Sequence, residues 1–275
     1  MTPAFPPSAS ARAQTAPVGM AAGVAAGVAG ARVAHLVRHP LKGIGREELA
    51  SATLRAGAPF PGDRLWAVRD AAGAVAAGAW AECRNFARGA KAPLLMAVSA
   101  RLDAAARRVW LSHPDRPDID IAPDAPADEA RLIAWLDPLI PPDRPRPAQI
   151  VPAPAAMTDT PYPSVSILSL ASLRAVSRAM GRDLDMHRFR GNIWIDGCQP
   201  WAEAALVGHE IRIGGARLRV VEQIHRCRAT MADPATGQID AEVLSALRAQ
   251  RGEAIFGLYA EVTGSGDVAV GDALA

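Results

Sequence analysis

The alternation of apolar and polar positions from Ala31 onward predicts a chain of short strands separated by glycine and proline punctuation. Candidate strands are "ARVAHLVRH", "LASATLRAG" and "RLWAVRD", the last entered through the turn Pro61-Gly62. "LLMAVSARLD" and "RRVWLSH" follow as a hairpin. Leu132, Ile133, Leu136 and Leu139 recur at helical spacing in "DEARLIAWLDPL", with Pro138 closing that helix. After it the strand "VSIL" passes straight into the helix "SLASLRAVSRAM". The strands "NIWIDG", "HEIRIG" and "ARLRVVEQI" come next, and in the last of these Leu218 and Val220 alternate with Arg217, Arg219 and Val221. A helix "DAEVLSALRAQ" with Asp240 as its N-cap and the strands "IFGLYAEVTG" and "DVAVGD" end the chain. Many short strands around a few helices predict a mainly β (α+β) protein of closed or half-closed barrels.

Domain organisation follows from composition. Residues 1–30 are almost entirely Ala, Gly, Pro, Ser and Val with Arg12 as the only charge, and are expected to be a disordered leader. They are too glycine-rich for a membrane span and a poor fit to an export signal. Residues 31–137 form a first β-rich lobe and 164–275 a second. Between them residues 138–163 hold nine of the 23 prolines and are expected to be a semi-rigid connector.

The remaining composition narrows the function. Half of the residues are hydrophobic and 21% charged, and the formal charge is only +2, with no basic run that would mark a nucleic-acid partner. Cys83, Cys198 and Cys227 are odd in number and far apart, unlike a secreted disulfide framework, which points to the cytoplasm with no membrane partner. No dinucleotide-binding glycine fingerprint, phosphate-binding P-loop, nucleophile elbow or zinc-protease helix motif is present.

The segment "VVEQIHRCRATMADPATG" is where chemistry concentrates. Cys227 lies between Arg226 and Arg228, two residues from His225, at the end of an apolar run and just before the turn formers Asp233-Pro234 and Gly237. Such a cysteine is a candidate nucleophile or metal ligand. The competing reading is a small buried hydrophobe, which the adjacent charges make costly. A zinc site built from Cys198, His209, His225 and Cys227 uses acceptable ligands at an unfamiliar spacing.

Taken together, "FRGNIWIDGCQPWAE" and "GHEIRIGGARLRVVEQIHRCRATMADPATG" resemble the MOSC domain, named for the C-terminal domain of molybdenum cofactor sulfurase, in which F-R-P-N precedes P-R-C-x-x-T and D-P-x-T-G. "RHPLKGI" and "PGDRLWAVRD" resemble the N-terminal β-barrel domain that accompanies it. The resemblance covers about Val33 to Ala275 and includes the family of the mitochondrial amidoxime-reducing component. It implies a molybdenum cofactor (molybdenum bound to molybdopterin), with Cys227 as the metal ligand. Lys42, Arg64, Arg190 and Asn192 are implied to hold the pterin and its phosphate, with Ser169 and Ser172 at a helix start and Arg226 and Thr230 in the cysteine motif. Cations of bidentate reach and a helix N-terminus suit such an anion, although each arginine and lysine could equally be a solvated surface charge and Ser169 an ordinary N-cap.

The chain departs from the family at three places. His225 and Gly191 replace prolines, and Gly43 replaces a serine whose hydroxyl could contact the phosphate. Gly191 is expected to loosen its loop, and His225 becomes a candidate catalytic proton donor beside the metal. The activity implied is reduction of a small N-hydroxylated or otherwise N-oxygenated substrate. The chain has no four-cysteine iron–sulfur set and no flavin fingerprint, so electrons must come from a separate donor protein. The alternative is a carrier of persulfide sulfur or of the cofactor, without turnover.

Overall fold

The computed structural model describes residues 27–76, 78–153 and 156–275. Most of the expected leader therefore lies outside the described residues. Among the described residues the fold is mainly β with three α-helices, and the two largest of its hydrophobic clusters form a larger and a smaller core.

The larger core lies against a seven-stranded sheet. Its strands are β1 (Arg32–Arg38), β2 (Glu47–Leu49), β9 (Val165–Ser169), β10 (Ile193–Asp196), β11 (Glu210–Ile213), β12 (Ala216–His225) and β13 (Ile255–Gly264), in the order β11-β12-β13-β9-β10-β1-β2. Only β9 and β10 run parallel, and helix α2 (Leu170–Met180) makes the crossover that parallel neighbours require. Along β12, Ala216, Leu218 and Val220 are buried while Arg217, Arg219 and Val221 face outward, so the alternation in the sequence is the alternation of faces. The last residues close the curled sheet. Leu274 donates its N–H to Ala31 at 2.9 Å, and Arg212 and Ala275 exchange N–H···O bonds of 2.7 and 2.9 Å, so one tail ties β1 to the far edge strand β11. A ribbon of β3 (Ser51–Leu54) and β14 (Gly266–Ala269) packs on the same core.

The smaller core is wrapped by β4 (Trp66–Asp70) paired with β8 (Pro147–Pro152), the meander β5 (Ser99–Asp103), β6 (Arg108–His113) and β7 (Arg116–Ile121), and helix α1 (Pro126–Leu136). Leu132, Trp135 and Leu136 are the buried face of α1, and a single 3-10 turn, Asp137–Leu139, ends it at Pro138. Strand β8 and the site residues Met157 to Asp159 lie inside the proline-rich stretch 138–163, so part of it is pinned by pairing and burial. Helix α3 (Val243–Arg251) begins later than expected. Its N-cap is Glu242, with no side-chain cap, because the Asp240 carboxylate is taken by Arg188 and Arg182.

Candidate functional site

Where the two cores meet, a cavity of about 110 Å³ is lined by Lys42, Arg64, Cys83, Arg190, Arg226, Cys227, Thr230 and Tyr259. The cysteine turn builds one wall. Strand β12 stops at His225, and Arg226 donates its N–H to Ala254 at 2.7 Å. Cys227 is extended and opens the 3-10 turn Arg228–Met231, and its carbonyl accepts from the Thr230 N–H at 3.2 Å and the Thr230 hydroxyl at 3.0 Å. Asp233 then fixes the next turn by accepting from the N–H groups of Ala235 and Thr236 at 2.8 and 3.1 Å. The spacing of Cys, Thr and Asp in the motif is thus the hydrogen-bond pattern of two successive tight turns.

Two arginines brace this turn from outside. Arg188, 1% exposed, donates to Met231 O, to both carboxylate oxygens of Asp240 and to Asp233. Arg46 donates to Pro234 O at 3.0 Å and to Met96 O and Val98 O, linking the turn to the smaller core. Gly237, with φ +72°, lies so close to Leu94 that a Cβ would stand 2.5 Å from its Cα.

The facing wall is cationic and largely buried. Lys42 spends its three N–H bonds on Met157 O, Thr158 O and Asp159 Oδ1, at 2.8, 2.9 and 2.8 Å. Arg64 is ion-paired to Asp63 and, at 3.5 Å, to Asp159. Burial opposes its charge, but these two carboxylates outweigh burial and raise its pKa. Arg190 has only carbonyls for partners, Gly45 at 3.0 Å and Leu41 at 3.3 Å, so burial and then the neighbouring Arg64 pull it down to about 9. Both Arg64 and Arg190 hold left-handed backbone, φ 50° and 47°, which few non-glycine residues adopt. Arg226 donates to Phe256 O and Phe189 O at 2.7 and 2.8 Å, over the faces of both rings. Its Nη2 is buried without a hydrogen-bond partner, and burial lowers its pKa to about 10.

These positions decide among the expectations. Lys42 and Arg64 are buried and Arg190 is half-buried, so none is a fully solvated surface charge, and Cys227 is exposed rather than a buried hydrophobe. His225 stands on the rim, exposed, 3.6 Å from Glu253. Ser169, Ser172 and Asn192 are not brought to the cavity. Ser169 N-caps α2 by accepting from the Ser172 N–H at 3.2 Å, and Ser172 donates to buried Glu203 at 2.6 Å. Asn192 ties β10 to β9 and β1 through Ser166 and Val37. Cys198 is buried beside Ser169, and among the described residues no three His, Cys, Asp or Glu side chains gather to hold a metal ion, so the four candidate zinc ligands do not converge.

Two of the three family departures have a steric reason. Gly43 has φ +73°, and a Cβ there would lie 2.7 Å from the Arg88 Cβ; one on Gly191 would lie 2.4 Å from a Leu168 methyl. Gly191 is therefore packed, not loose.

Asp159, Cys83, Asp63 and His39 escaped the sequence reading. Asp159 accepts from Lys42 and from the Cys83 thiol at 3.0 Å, and is ion-paired with Arg64 at 3.5 Å. Burial would raise its carboxyl, but the two cations hold it well below the usual carboxylate range. Burial, then Asp159, pushes the Cys83 thiol up to about 11. His39, fully buried, donates from Nδ1 to Asp63 Oδ1 (3.2 Å) and is driven down to about 3 by burial and by Arg190. The "GDR" of the sequence does carry a signal for Asp63, since a carboxylate beside an arginine is a ready counter-ion; nothing local marks Asp159.

Mitochondrial amidoxime reducing component 2 from Bos taurus is 32% identical over 126 residues, covering 40% of this chain and 37% of that protein. Mitochondrial amidoxime-reducing component 1 from Mus musculus is 35% identical over 118 residues, covering 38% and 34%. The match thus spans little more than a third of these relatives. A solved structure, the YUAD protein from Bacillus subtilis, aligns over 89% of this chain and 93% of its own with 15% identity and a TM-score of 0.43. Among the described residues no helix is long and apolar enough to cross a membrane. Residues 30–136 match the MOSC N-terminal beta barrel domain and residues 157–275 the MOSC domain, and with both in sequence the chain belongs to the MOSC family.

Proposed function

We propose that the cavity binds a phosphorylated molybdenum–pterin cofactor with Cys227 as the metal's protein ligand, and that the protein reduces small N-oxygenated molecules. The MOSC family is associated with molybdenum-cofactor binding, and the relatives are named for amidoxime reduction. The observation that carries the reading is the Arg226 Nη2, a buried donor with no acceptor, in a cavity that Cys227 also lines. A buried, unpaired polar group is costly, and an anionic ligand would satisfy it.

The donor set fits the group. Arg226 and Arg190 are half-buried cations held only by carbonyls, so they have charge to give to an anion, whereas Lys42 and Arg64 already share Asp159 and would stiffen the wall. Cys227 presents a free thiol, positioned by the Thr230 hydroxyl on its carbonyl and by the Arg188 brace. The cofactor would supply the two-electron chemistry that takes oxygen from nitrogen. Residues of this chain orient it, neutralise its charge and shield it from water. Electrons would come from a separate donor protein, and a cytoplasmic location is part of the same proposal.

The test is the molybdenum and pterin content of protein made in a host that synthesises the cofactor. Near-stoichiometric metal that disappears in Cys227→Ala is the expected result. No metal in either protein, while a known molybdenum enzyme from the same host is loaded, would overturn the reading in favour of a persulfide carrier.

A further inference from the structure

A second cavity of about 140 Å³ adjoins the first and shares Gly89 and Ala90 with it. Its lining is of two kinds. Pro93, Pro141 and Ile239 give it an apolar surface, and Ile239 is 46% exposed. Lys91, Arg144 and Arg228 give it positive charge against one carboxylate, Asp143.

These three cations are not equally free. Lys91 donates to Asp70 and to Arg84 O, and is spoken for. Arg144 has only its exposed neighbour Asp143, at 3.6 Å. Arg228 is exposed and, among the described residues, has neither an ion pair nor a side-chain hydrogen bond. It directly follows Cys227, so one turn contributes Cys227 to the lining of the first cavity and Arg228 to that of the second.

We propose that the second cavity is a substrate subsite. It takes the non-reacting end of the molecule: a small apolar or aromatic body against Pro93, Pro141 and Ile239, ending in a carboxylate held by Arg228 and Arg144. The substrate class is therefore N-oxygenated compounds with an anionic tail. This rests on the reductase reading above. The guanidinium fork suits a planar carboxylate, and the partial exposure of both arginines makes the attraction moderate and sensitive to salt.

The experiment compares two pairs of probes on the full chain. In turnover by the molybdenum-loaded protein with reduced dye, 4-carboxybenzamidoxime should show a KM about tenfold below that of benzamidoxime, about 1.4 kcal/mol of added attraction. In calorimetry without turnover, 4-amidinobenzoate should bind about tenfold more tightly than benzamidine. Both differences should vanish in the double variant Arg144→Ala, Arg228→Ala, and shrink at high salt. Equal affinity for the charged and neutral probes, or a preference that survives the double variant, overturns the subsite. A binding preference that depends on the arginines but comes with no reduction supports the subsite and removes the reductase reading. Reduction with no preference does the reverse.

Discussion

The two walls of the cavity are made of the same kinds of residue and are built in opposite ways. Lys42 and Arg64 are buried and Arg190 half-buried, their hydrogen bonds are mostly spent on the protein itself, and Arg64 and Arg190 hold left-handed backbone. Cys227, His225 and Arg228 are exposed on a turn whose order comes from main-chain bonds and from braces behind it. The contrast teaches that charge at this site is installed by the fold, whereas reactivity is displayed on top of it. Cutting the first should therefore cost stability, and cutting the second should cost only chemistry.

The brace behind the cysteine turn should show the largest effect. Arg188 is 1% exposed and reaches Met231 O, Asp233 and Asp240, so Arg188→Met leaves two carboxylates facing an apolar chain. Removing one partner of a buried ion pair costs about 3 kcal/mol or more. The carboxylates here keep some access to water, with side chains 26% and 28% exposed, which puts the expectation at about 3 kcal/mol in urea denaturation. A loss below about 1 kcal/mol would show that the turn does not depend on its brace.

The cationic wall also predicts a pH dependence. His39 stays neutral in the fold because burial, then Arg190, lowers it to about 3 from an ordinary 6.5. Below pH 6.5 the unfolded chain takes up a proton that the folded chain refuses, so this contribution is complete above 6.5 and is lost as pH falls toward 3. Between pH 7 and pH 5 the loss amounts to about 2 kcal/mol. Asp63, driven down to about 2 by Arg64 and His39 against the opposing effect of burial, adds its own loss only below its ordinary 3.8. His39→Asn keeps a donor for Asp63 and removes the titration, so its stability should fall less steeply over the same interval. An unchanged slope would mean that His39 is not the group responsible.

The same contrast explains what could be read from the sequence. Strands such as β12 and helices such as α2 were legible because burial alternates with the local period, and Cys227 because its turn is a local hydrogen-bond pattern. The pairing of β1 with β10, the closure of the sheet by residues 272–275 and the meeting of Lys42 with Asp159 are contacts across about sixty to more than two hundred residues, and no local period encodes them. Strand β8 was hidden because prolines at 147 and 152 mask an edge strand. Ser169 and Ser172 failed for a different reason: a serine at a helix start has the same sequence signature whether it faces a ligand or caps the helix, and here it caps.

The smallest effect on stability belongs to the exposed wall, and the three cysteines measure it directly. Cys227→Ala should change the unfolding free energy by less than about 0.5 kcal/mol, as surface substitutions do, while Cys198, buried in the larger core beside Ser169, should not tolerate the same truncation as quietly. Alkylation of the native protein by iodoacetamide, followed by mass spectrometry, orders the same sites by reactivity. Cys227, exposed on the cavity rim, should react first. Cys83 should follow slowly, since burial and the Asp159 carboxylate keep its thiol protonated. Cys198 should react only on unfolding, because burial both hides its sulfur and raises its pKa. If Cys83 were modified as fast as Cys227, the interior wall would be as open to solvent as the rim, and the division between a wall that holds charge and a wall that displays a thiol would fail.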